Sequence, residues 1–228
     1  PASATINQGT VNLSMTTNMQ PSLPRTKVNL QISHVELGPI LKAFWNSDRL
    51  SGKMTLKTQF EGLGVKQEQF FSSLNGSGEL HMTQGDIKGI DLAHWINKGL
   101  AFIHKQQNQS AAENQKETRF TELKANFQIH QGTINNHNLV LQGPAFRVTG
   151  EGTINLPKQI LNYTLLGNFN NFSAFQIPIK LSGPINKPKA SLDVIKLGEM
   201  YLQKTIKKTI GERLEDVIKK KIPIIPDL

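Results

Sequence analysis

The chain has 228 residues, no cysteine, and 26 basic against 17 acidic residues, which gives a formal net charge of +9. A chain of this length can bury its own core, and the lack of cysteine excludes disulfides, zinc–thiolate centres, iron–sulfur clusters and thiol nucleophiles. The basic balance favours anionic partners such as phospholipid headgroups, nucleic acid or acidic glycans, and the hydrophobic content of 37% favours a sheet with one face in water.

No apolar run approaches the roughly 18 consecutive positions that a membrane helix needs, so the sequence predicts neither a membrane span nor a signal peptide. The chain begins with Pro1 rather than with Met. We therefore expect it to be a fragment or a processed product, with any membrane anchor upstream of it.

Alternating apolar and polar residues predict strands near the N-terminus. The stretch "ATINQGTVNLSMTT" predicts a hairpin or a bulged strand, "TKVNLQISHV" a further strand, and "RLSGKMTLKTQFEGLG" another. Two short helices are predicted among them. One lies at "ELGPILKAFWN", where Pro39 is tolerated in the first turn, and the other at "KQEQFFSSLNG", which we expect Asn75 and Gly76 to end.

The stretch "GSGELHMTQGDIKGI" raises the question of a phosphate-binding loop. Its glycine spacing is that of a dinucleotide motif, but the glycines lead into a strand rather than a helix, so we do not predict nucleotide binding. The strand carries Leu80 and Met82 on one face, is expected to turn at "QGD", and continues with Ile87. The next stretch, "DLAHWINKGLAFIHKQ", predicts an amphipathic helix that begins at Asp91, a good N-cap residue.

The second half of the chain predicts a loop and then a long run of strands. Residues 105–118 have no apolar period and predict an exposed loop whose composition is compatible with disorder. From Phe120 to about Val194, six alternating stretches follow one another with Gly, Asn or Pro turns. We assign residues 1–193 to one β region. The expected fold class is mainly β with helices (α+β), a long curled antiparallel meander sheet with short helical insertions.

Residues 194–228 form the second predicted region, an amphipathic C-terminal helix with a short tail. Charges interrupt its apolar stripe, so packing across the sheet is favoured over binding to an anionic membrane surface, and both alternatives remain open. The predicted stripe consists of Leu202, Ile206, Ile210, Leu214 and Val217.

No pattern typical of catalysis or metal binding is present. The histidines lack ligand spacing, and His130 and His137, the pair that can face each other across a hairpin, have no carboxylate with them. No spacing forces two acidic residues together. We therefore predict that the chain is not an enzyme and binds no metal or other cofactor. Nucleic acid is not expected as a partner, because the few aromatic residues are not interleaved with basic ones.

The apolar face of the sheet is the remaining candidate site. A sandwich would bury this face under a second sheet, whereas a curled sheet without a complete partner leaves a groove that can receive acyl chains. The candidate wall positions of such a groove are Leu80, Met82, Ile87, Phe127, Ile129, Leu139, Leu141, Phe146, Val148, Ile154, Leu165 and Ile179.

Four motifs follow one another between Leu37 and Val194. They are the "SLNGSGEL" strand, "GDIKGIDL" before a helix, "F..L.A.F.I..G" with its continuation "N..L.LQGP..RVTGEGTINL", and the closing "IP....GPI.KP...LD". In this order they resemble the C-terminal region of the AsmA family of bacterial envelope proteins. The family provides no catalytic residues to transfer onto this sequence.

The resemblance implies an elongated, taco-like β-sheet with a hydrophobic groove, in a periplasmic body that an upstream helix ties to the inner membrane. It implies a non-enzymatic module that binds or conducts phospholipid acyl chains in outer-membrane lipid transport, homeostasis and biogenesis. The expected partners are phospholipids or other envelope lipids and inner- and outer-membrane proteins. An anionic membrane surface is a partner only in the alternative, stated above for residues 194–228, in which the basic C-terminal helix binds a membrane. The alternative is a protein-interaction module that assists outer-membrane protein assembly.

Overall fold

The computed structural model describes residues 1–6, 9–20, 22–103, 117–169, 176–204, 206 and 209. The chain divides into two compact units, Pro1–Leu192 and Asp193–Leu228. No helix among the described residues combines the length and the apolar character that crossing a membrane requires.

The first unit is built on one antiparallel sheet of eleven strands, and the order of the strands in the sheet is their order in the chain. The sheet is open, with β1 and β11 as its edge strands. The predicted fold class, an antiparallel meander with short helical insertions, is therefore confirmed. The strands are β1 (Ala2–Ile6), β2 (Gly9–Asn18), β3 (Arg25–Glu36), β4 (Lys53–Leu63), β5 (Asn75–Lys88), β6 (Glu117–His130), β7 (Thr133–Gln142), β8 (Phe146–Asn155), β9 (Ile160–Phe169), β10 (Ile177–Pro184) and β11 (Lys189–Leu192).

Three helices interrupt the meander at the predicted places. The second of them ends earlier than expected, because the Ser73 hydroxyl donates a hydrogen bond of 2.8 Å to the carbonyl of Gln69 and Ser73 caps the helix. Asn75 and Gly76, the predicted stop, already belong to β5. The helices are α1 (Leu37–Trp45), α2 (Gln67–Ser72) and α3 (Leu92–Ile103).

Strand β5 passes through the glycine-rich stretch without reversing, so the predicted turn at "QGD" is wrong. Gln84 adopts a φ of 52°, and one residue in this left-handed region kinks a strand without ending it. Gly76 and Gly78 lie inside the strand. A β-carbon at position 78 would collide with the ring of Phe127 on β6. Gly78 therefore makes room for a large neighbour on the next strand.

Helix α3 packs on one face of the sheet, which we call the inner face, where it contacts β6, β9, β10 and β11. Its first turn is tied to β6 by the buried Thr118, whose hydroxyl accepts a hydrogen bond of 3.0 Å from the Leu92 N–H and donates one of 2.7 Å to the Ile90 carbonyl. Asp91 caps the helix as predicted, because its Oδ1 accepts a hydrogen bond of 2.9 Å from the N–H of His94.

The opposite, outer face of the sheet is polar. On it the carboxylate of Glu122 lies 2.7 Å from Lys124 Nζ and 3.0 Å from His81 Nε2. The hydrogen bond from Lys124, with a smaller contribution from His81, lowers the pKa of Glu122 below its ordinary value. These side chains are partly exposed, so the ion pairs contribute little to stability, but they mark this face as the one that meets water.

The second unit begins with a helix over residues 194–204, and positions 206 and 209 are helical as well. Asp193 caps this helix, because its Oδ1 accepts a hydrogen bond of 3.1 Å from the N–H of Lys196. Leu202 and Ile206 are four positions apart, so they share one face of the helix, and both side chains are more than half exposed. The described part of the predicted apolar stripe thus faces outward.

Some predictions fall on residues outside the described ranges. They are the stripe residues Ile210, Leu214 and Val217, and most of the predicted loop, whose residues up to 116 are not described. The last two residues of that predicted loop, Glu117 and Thr118, begin strand β6 instead.

Candidate functional site

An apolar row crosses the inner face from the N-terminal strands to the middle of the sheet. Residues that pair directly in antiparallel strands point to the same face, so the register places side chains of β2 to β6 next to one another. The row becomes uncovered toward β2, where Leu13 is 37% and Met15 62% exposed. One such row consists of Met15, Val28, Phe60, Gly76 and Ile129.

A cavity of about 300 Å³ lies on the inner face, and we call it the apolar cavity. Six neighbouring strands, β5 to β10, and the start of α3 line it. Because adjacent strands are about 4.8 Å apart, six strands span roughly 24 Å, so the cavity extends across several strands of the sheet rather than lying between two of them. The lining residues are Leu80, Ile87, Ile90, Leu92, Leu123, Ala125, Phe127, Ile134, Asn136, Leu139, Leu141, Val148, Ile154, Leu161, Tyr163, Leu165 and Leu181.

The wall of the cavity is almost wholly apolar. Among the described residues that line it, none is charged, and Asn136 and Tyr163 are the two that carry a polar side-chain group. Burial raises the pKa of the Tyr163 phenol above its ordinary value. An ionised ligand group placed here would lose its hydration without gaining a partner, whereas an alkyl chain would lose only unfavourable contact with water.

Eight of the twelve wall positions predicted from the sequence line the cavity, and the other four are buried in the core without lining it. A role of the eight in binding lipid stays a prediction. The eight are Leu80, Ile87, Phe127, Leu139, Leu141, Val148, Ile154 and Leu165, and the four are Met82, Ile129, Phe146 and Ile179.

Sequence reasoning missed nine of the lining residues. Leu123 and Ala125 share the parity of Phe127 along β6, so alternation alone was enough to find them. On β7 the alternation of side chains between the two faces is interrupted, because the register between β7 and β8 shifts between Asn136 and Leu139. The other missed residues are Ile90, Leu92, Ile134, Asn136, Leu161, Tyr163 and Leu181.

The bulge on β7 interrupts the regular pairing of β7 with β6. The side chains of Asn136 and Asn138 make hydrogen bonds at this interruption. The Oδ1 of Asn138 accepts hydrogen bonds from the N–H of Asn126 at 2.8 Å and from Nδ2 of Asn136 at 3.0 Å. The same Nδ2 donates to the carbonyl of Asn126 at 2.8 Å. Asn136 itself is 2% exposed, and its Oδ1 has no hydrogen-bond partner among the described residues.

No group of three or more His, Asp or Glu among the described residues is arranged to hold a metal ion. His130 and His137 do not face each other across the hairpin, in agreement with the prediction that they form no metal site. His130 pairs with Thr133, and His137 lies 3.7 Å from Glu151 on β8. That the chain is not an enzyme and binds no cofactor stays a prediction.

Comparison with known proteins gives one family. The model of the AsmA family matches residues 1–139, more than half of the chain. Protein AsmA of Escherichia coli (strain K12) is 26% identical over an alignment of 222 residues that covers 92% of this chain and 36% of that protein, so the chain spans about a third of the length of this relative. No solved structure matches the chain. The chain belongs to the AsmA family.

Proposed function

We propose that this chain is a non-enzymatic lipid-handling module that shields phospholipid acyl chains on the inner face of its sheet. Membership of the AsmA family indicates an envelope-associated role. The proposal adds that the module works in the periplasm, as part of a longer protein anchored in the inner membrane, and serves lipid transport and homeostasis of the outer membrane.

The apolar cavity is the observation that supports this proposal. A closed sandwich core would leave no space for a ligand, whereas here about 300 Å³ of space is lined almost wholly by aliphatic and aromatic side chains. Each methylene group moved from water into such surroundings contributes about 0.8 kcal/mol, so a segment of about ten carbons contributes several kcal/mol before the cost of ordering the chain.

The size of the cavity also limits what it holds. It lies at the lower end of the range for small-molecule sites, about 300 to 1,000 Å³, and so suits part of one acyl chain rather than a whole phospholipid. The remainder of the lipid can extend along the inner face, because the apolar row runs toward β2, where Leu13 and Met15 are exposed. A row of this kind offers a lipid successive apolar positions along the sheet.

Lipid content and lipid uptake test the proposal. Protein purified without detergent is extracted and its lipids are identified by mass spectrometry, and the delipidated chain is titrated with cis-parinaric acid, a fluorescent fatty acid. We expect co-purified phospholipid and saturable binding of the probe. A lipid-free extract together with an absence of probe binding would overturn the proposal.

The alternative is a protein-interaction module, and the exposed edge of the sheet favours it. Strand β1 is an edge strand, and Ile6 of β1 and Met15 of β2 are exposed, a combination that can accept a further strand or a protein surface. This alternative requires no lipid in the apolar cavity. It therefore predicts that closing the cavity leaves the activity of the protein in the envelope unchanged.

A further inference from the structure

We infer that a phospholipid enters the apolar cavity tail first from one end of strands β6 to β10, with the end of its acyl chain against the start of α3 and its anionic headgroup at Lys158 and Lys187. The inference rests on the proposed function, because it takes an acyl chain as the occupant. It adds the direction of the chain and the residues that contact the headgroup. We call the end through which the lipid enters the turn end, because it carries the turns at residues 131–132, 156–159 and 185–188.

The two ends of the cavity differ in burial. Next to α3 the wall is formed by Leu92, Val148 and Leu165, none of which is more than 5% exposed. Toward the turn end, β8 and β9 contribute Ile154 and Leu161, and both of these lining residues are only half-buried. The cavity is therefore closed where α3 begins and accessible from the turn end. An acyl chain that enters from the turn end meets the closed end with its methyl group.

The apolar row joins the cavity at the turn end. Ile129, the last member of the row on β6, pairs with Ile134 on β7. Ile134 pairs with Ile154 on β8, and Ile154 pairs with Leu161 on β9. These three partners line the cavity. If one chain of a phospholipid lies in the cavity and the other lies on the row, the glycerol that joins the two chains has to lie at the turn end, beside the turns.

Backbone hydrogen bonds join the three turns into one rim. The N–H of Leu156 donates to the carbonyl of Gly132, and the N–H of Ile185 donates to the carbonyl of Gln159, each at 2.9 Å. The turn at residues 156–159 is thus tied to both of its neighbours. Side chains on these turns are close enough in the fold to act on the headgroup of one ligand.

The rim beside the cavity is basic. Lys158 and Lys187 lie on two neighbouring turns and are exposed, and the sequence has no Asp or Glu from Gly152 to Leu192. The opposite end of the cavity carries acidic groups, because Asp91 caps α3. A phosphate is therefore attracted to the turn end, where lysine side chains can reach it in water, whereas the cavity itself has no charged lining residue among those described.

A matched pair of probes tests the headgroup contact. cis-Parinaric acid presents a carboxylate, and its methyl ester has the same chain without the charge. In the variant Lys158→Gln/Lys187→Gln we expect the affinity for the acid to fall about threefold to tenfold, the effect of two exposed ion pairs, and the affinity for the ester to stay unchanged.

The control variant is Lys98→Gln/Arg147→Gln, which removes the same positive charge from α3 and from the opposite end of β8. It should leave the affinities for both probes unchanged. An equal loss for acid and ester in Lys158→Gln/Lys187→Gln, or an equal loss for the acid in both double variants, would overturn the headgroup contact.

Two photoreactive phospholipids test the direction of the chain. One carries a diazirine at the methyl end of an acyl chain, and the other carries it next to the carboxyl group of that chain. Peptide mapping should place labels from the first lipid near Leu92 and Val148, and labels from the second near Ile154 and Leu161. A reversed pattern, or the same pattern for both lipids, would overturn the direction.

The outcomes separate this inference from the proposed function. In each of the results that overturn the headgroup contact or the direction, a probe has bound, so lipid binding itself stands. Failure of cis-parinaric acid and its methyl ester to bind the wild-type chain, together with an absence of labels from both phospholipids, would overturn the proposed function and the inference with it.

Discussion

Ile96 on helix α3 occupies the space above Gly167 on strand β9, where a β-carbon would lie 2.8 Å from the Cδ1 and Cγ1 atoms of Ile96. One turn further along the helix, Gly99 lies against Ile177 of β10, and both isoleucines are completely buried. These glycines let helix and sheet approach closely, so α3 fills the inner face over β9 and β10. Neither Gly167 nor Ile177 lines the apolar cavity, which lies beside this close packing.

Substitution of Gly99 by alanine is expected to destabilise the chain. Alanine favours a helix over glycine by roughly 1 kcal/mol, but the added β-carbon would collide with the fully buried Ile177, and overpacking of this kind costs about 1 to 3 kcal/mol. Gly198 is the matched control, since it is helical and has no atom within 4 Å of its added β-carbon. Urea unfolding should show a loss of stability for Gly99→Ala and a small gain for Gly198→Ala. A gain for both would contradict close packing of α3 on the sheet.

Filling the apolar cavity is expected to abolish lipid binding. Leu139 lines the cavity and is only half-buried, so Leu139→Trp can place its ring in the empty space, at an overpacking cost of about 1 to 3 kcal/mol. We expect its affinity for cis-parinaric acid to fall at least about tenfold, since the apolar space for the chain is lost. The measurement is a fluorescence titration of each variant beside its thermal unfolding curve.

Val140→Trp is the control for that experiment. Val140 is the next residue of β7, is half-buried as well, and points to the outer face because successive side chains of a strand alternate. Its substitution should leave the affinity for the probe unchanged. Equal loss of binding in both variants would mean that general damage to β7, not occupation of the cavity, is responsible.

Alternation was sufficient to predict the strands and the face on which most wall residues lie, since the period of two follows directly from strand geometry. Alternation could not distinguish a residue that lines the cavity, such as Leu139, from one that is buried in the core, such as Ile179. That difference depends on where α3 packs, a contact between residues far apart in the chain. The period is also interrupted by the bulge between Asn136 and Leu139, so Asn136, whose Oδ1 has no hydrogen-bond partner among the described residues, was overlooked.

The resemblance recognised in the motifs was to the correct family, although the family match covers residues 1–139 rather than the stretch from Leu37 to Val194. The wrong details of β5 have a local cause. A glycine next to Gln84 was interpreted as a turn, but Gly85 leaves room for the ring of Phe120 on the neighbouring strand. A single sequence does not distinguish a glycine that turns the chain from one that accommodates a large neighbour.

Alkaline pH is expected to act on the cavity wall through Tyr163. Burial raises the pKa of its phenol above the ordinary value of about 10, so the folded state disfavours the phenolate. The stability that the neutral phenol provides is complete below the unfolded-state pKa and is lost as pH rises through the folded-state pKa. Ultraviolet titration of the wild-type chain minus Tyr163→Phe should give a midpoint above about 10. A midpoint at or below the ordinary value would place Tyr163 in water.

The hydrogen bonds that Asn138 accepts from Asn126 and Asn136, between β6 and β7, are expected to contribute to stability. Asn138→Ala removes the oxygen that accepts from the N–H of Asn126 and from Asn136 Nδ2, and it should cost about 1 kcal/mol. Asn138→Asp keeps an acceptor at the same place and should remain close to the wild type. Hydrogen exchange at the Asn126 amide gives a local readout, with faster exchange in the alanine variant alone. Equal stability of all three proteins would show that the two side chains do not support the ladder.

The most direct test of lipid binding in the apolar cavity is photo-crosslinking with a phospholipid that carries a diazirine in its acyl chain, followed by peptide mapping. We expect labels on the wall contributed by β6 to β9, at residues such as Leu139, Ile154 and Leu161, and we expect them to disappear in Leu139→Trp. Labels confined to the outer face, or labels on these strands that Leu139→Trp does not reduce, would contradict the account.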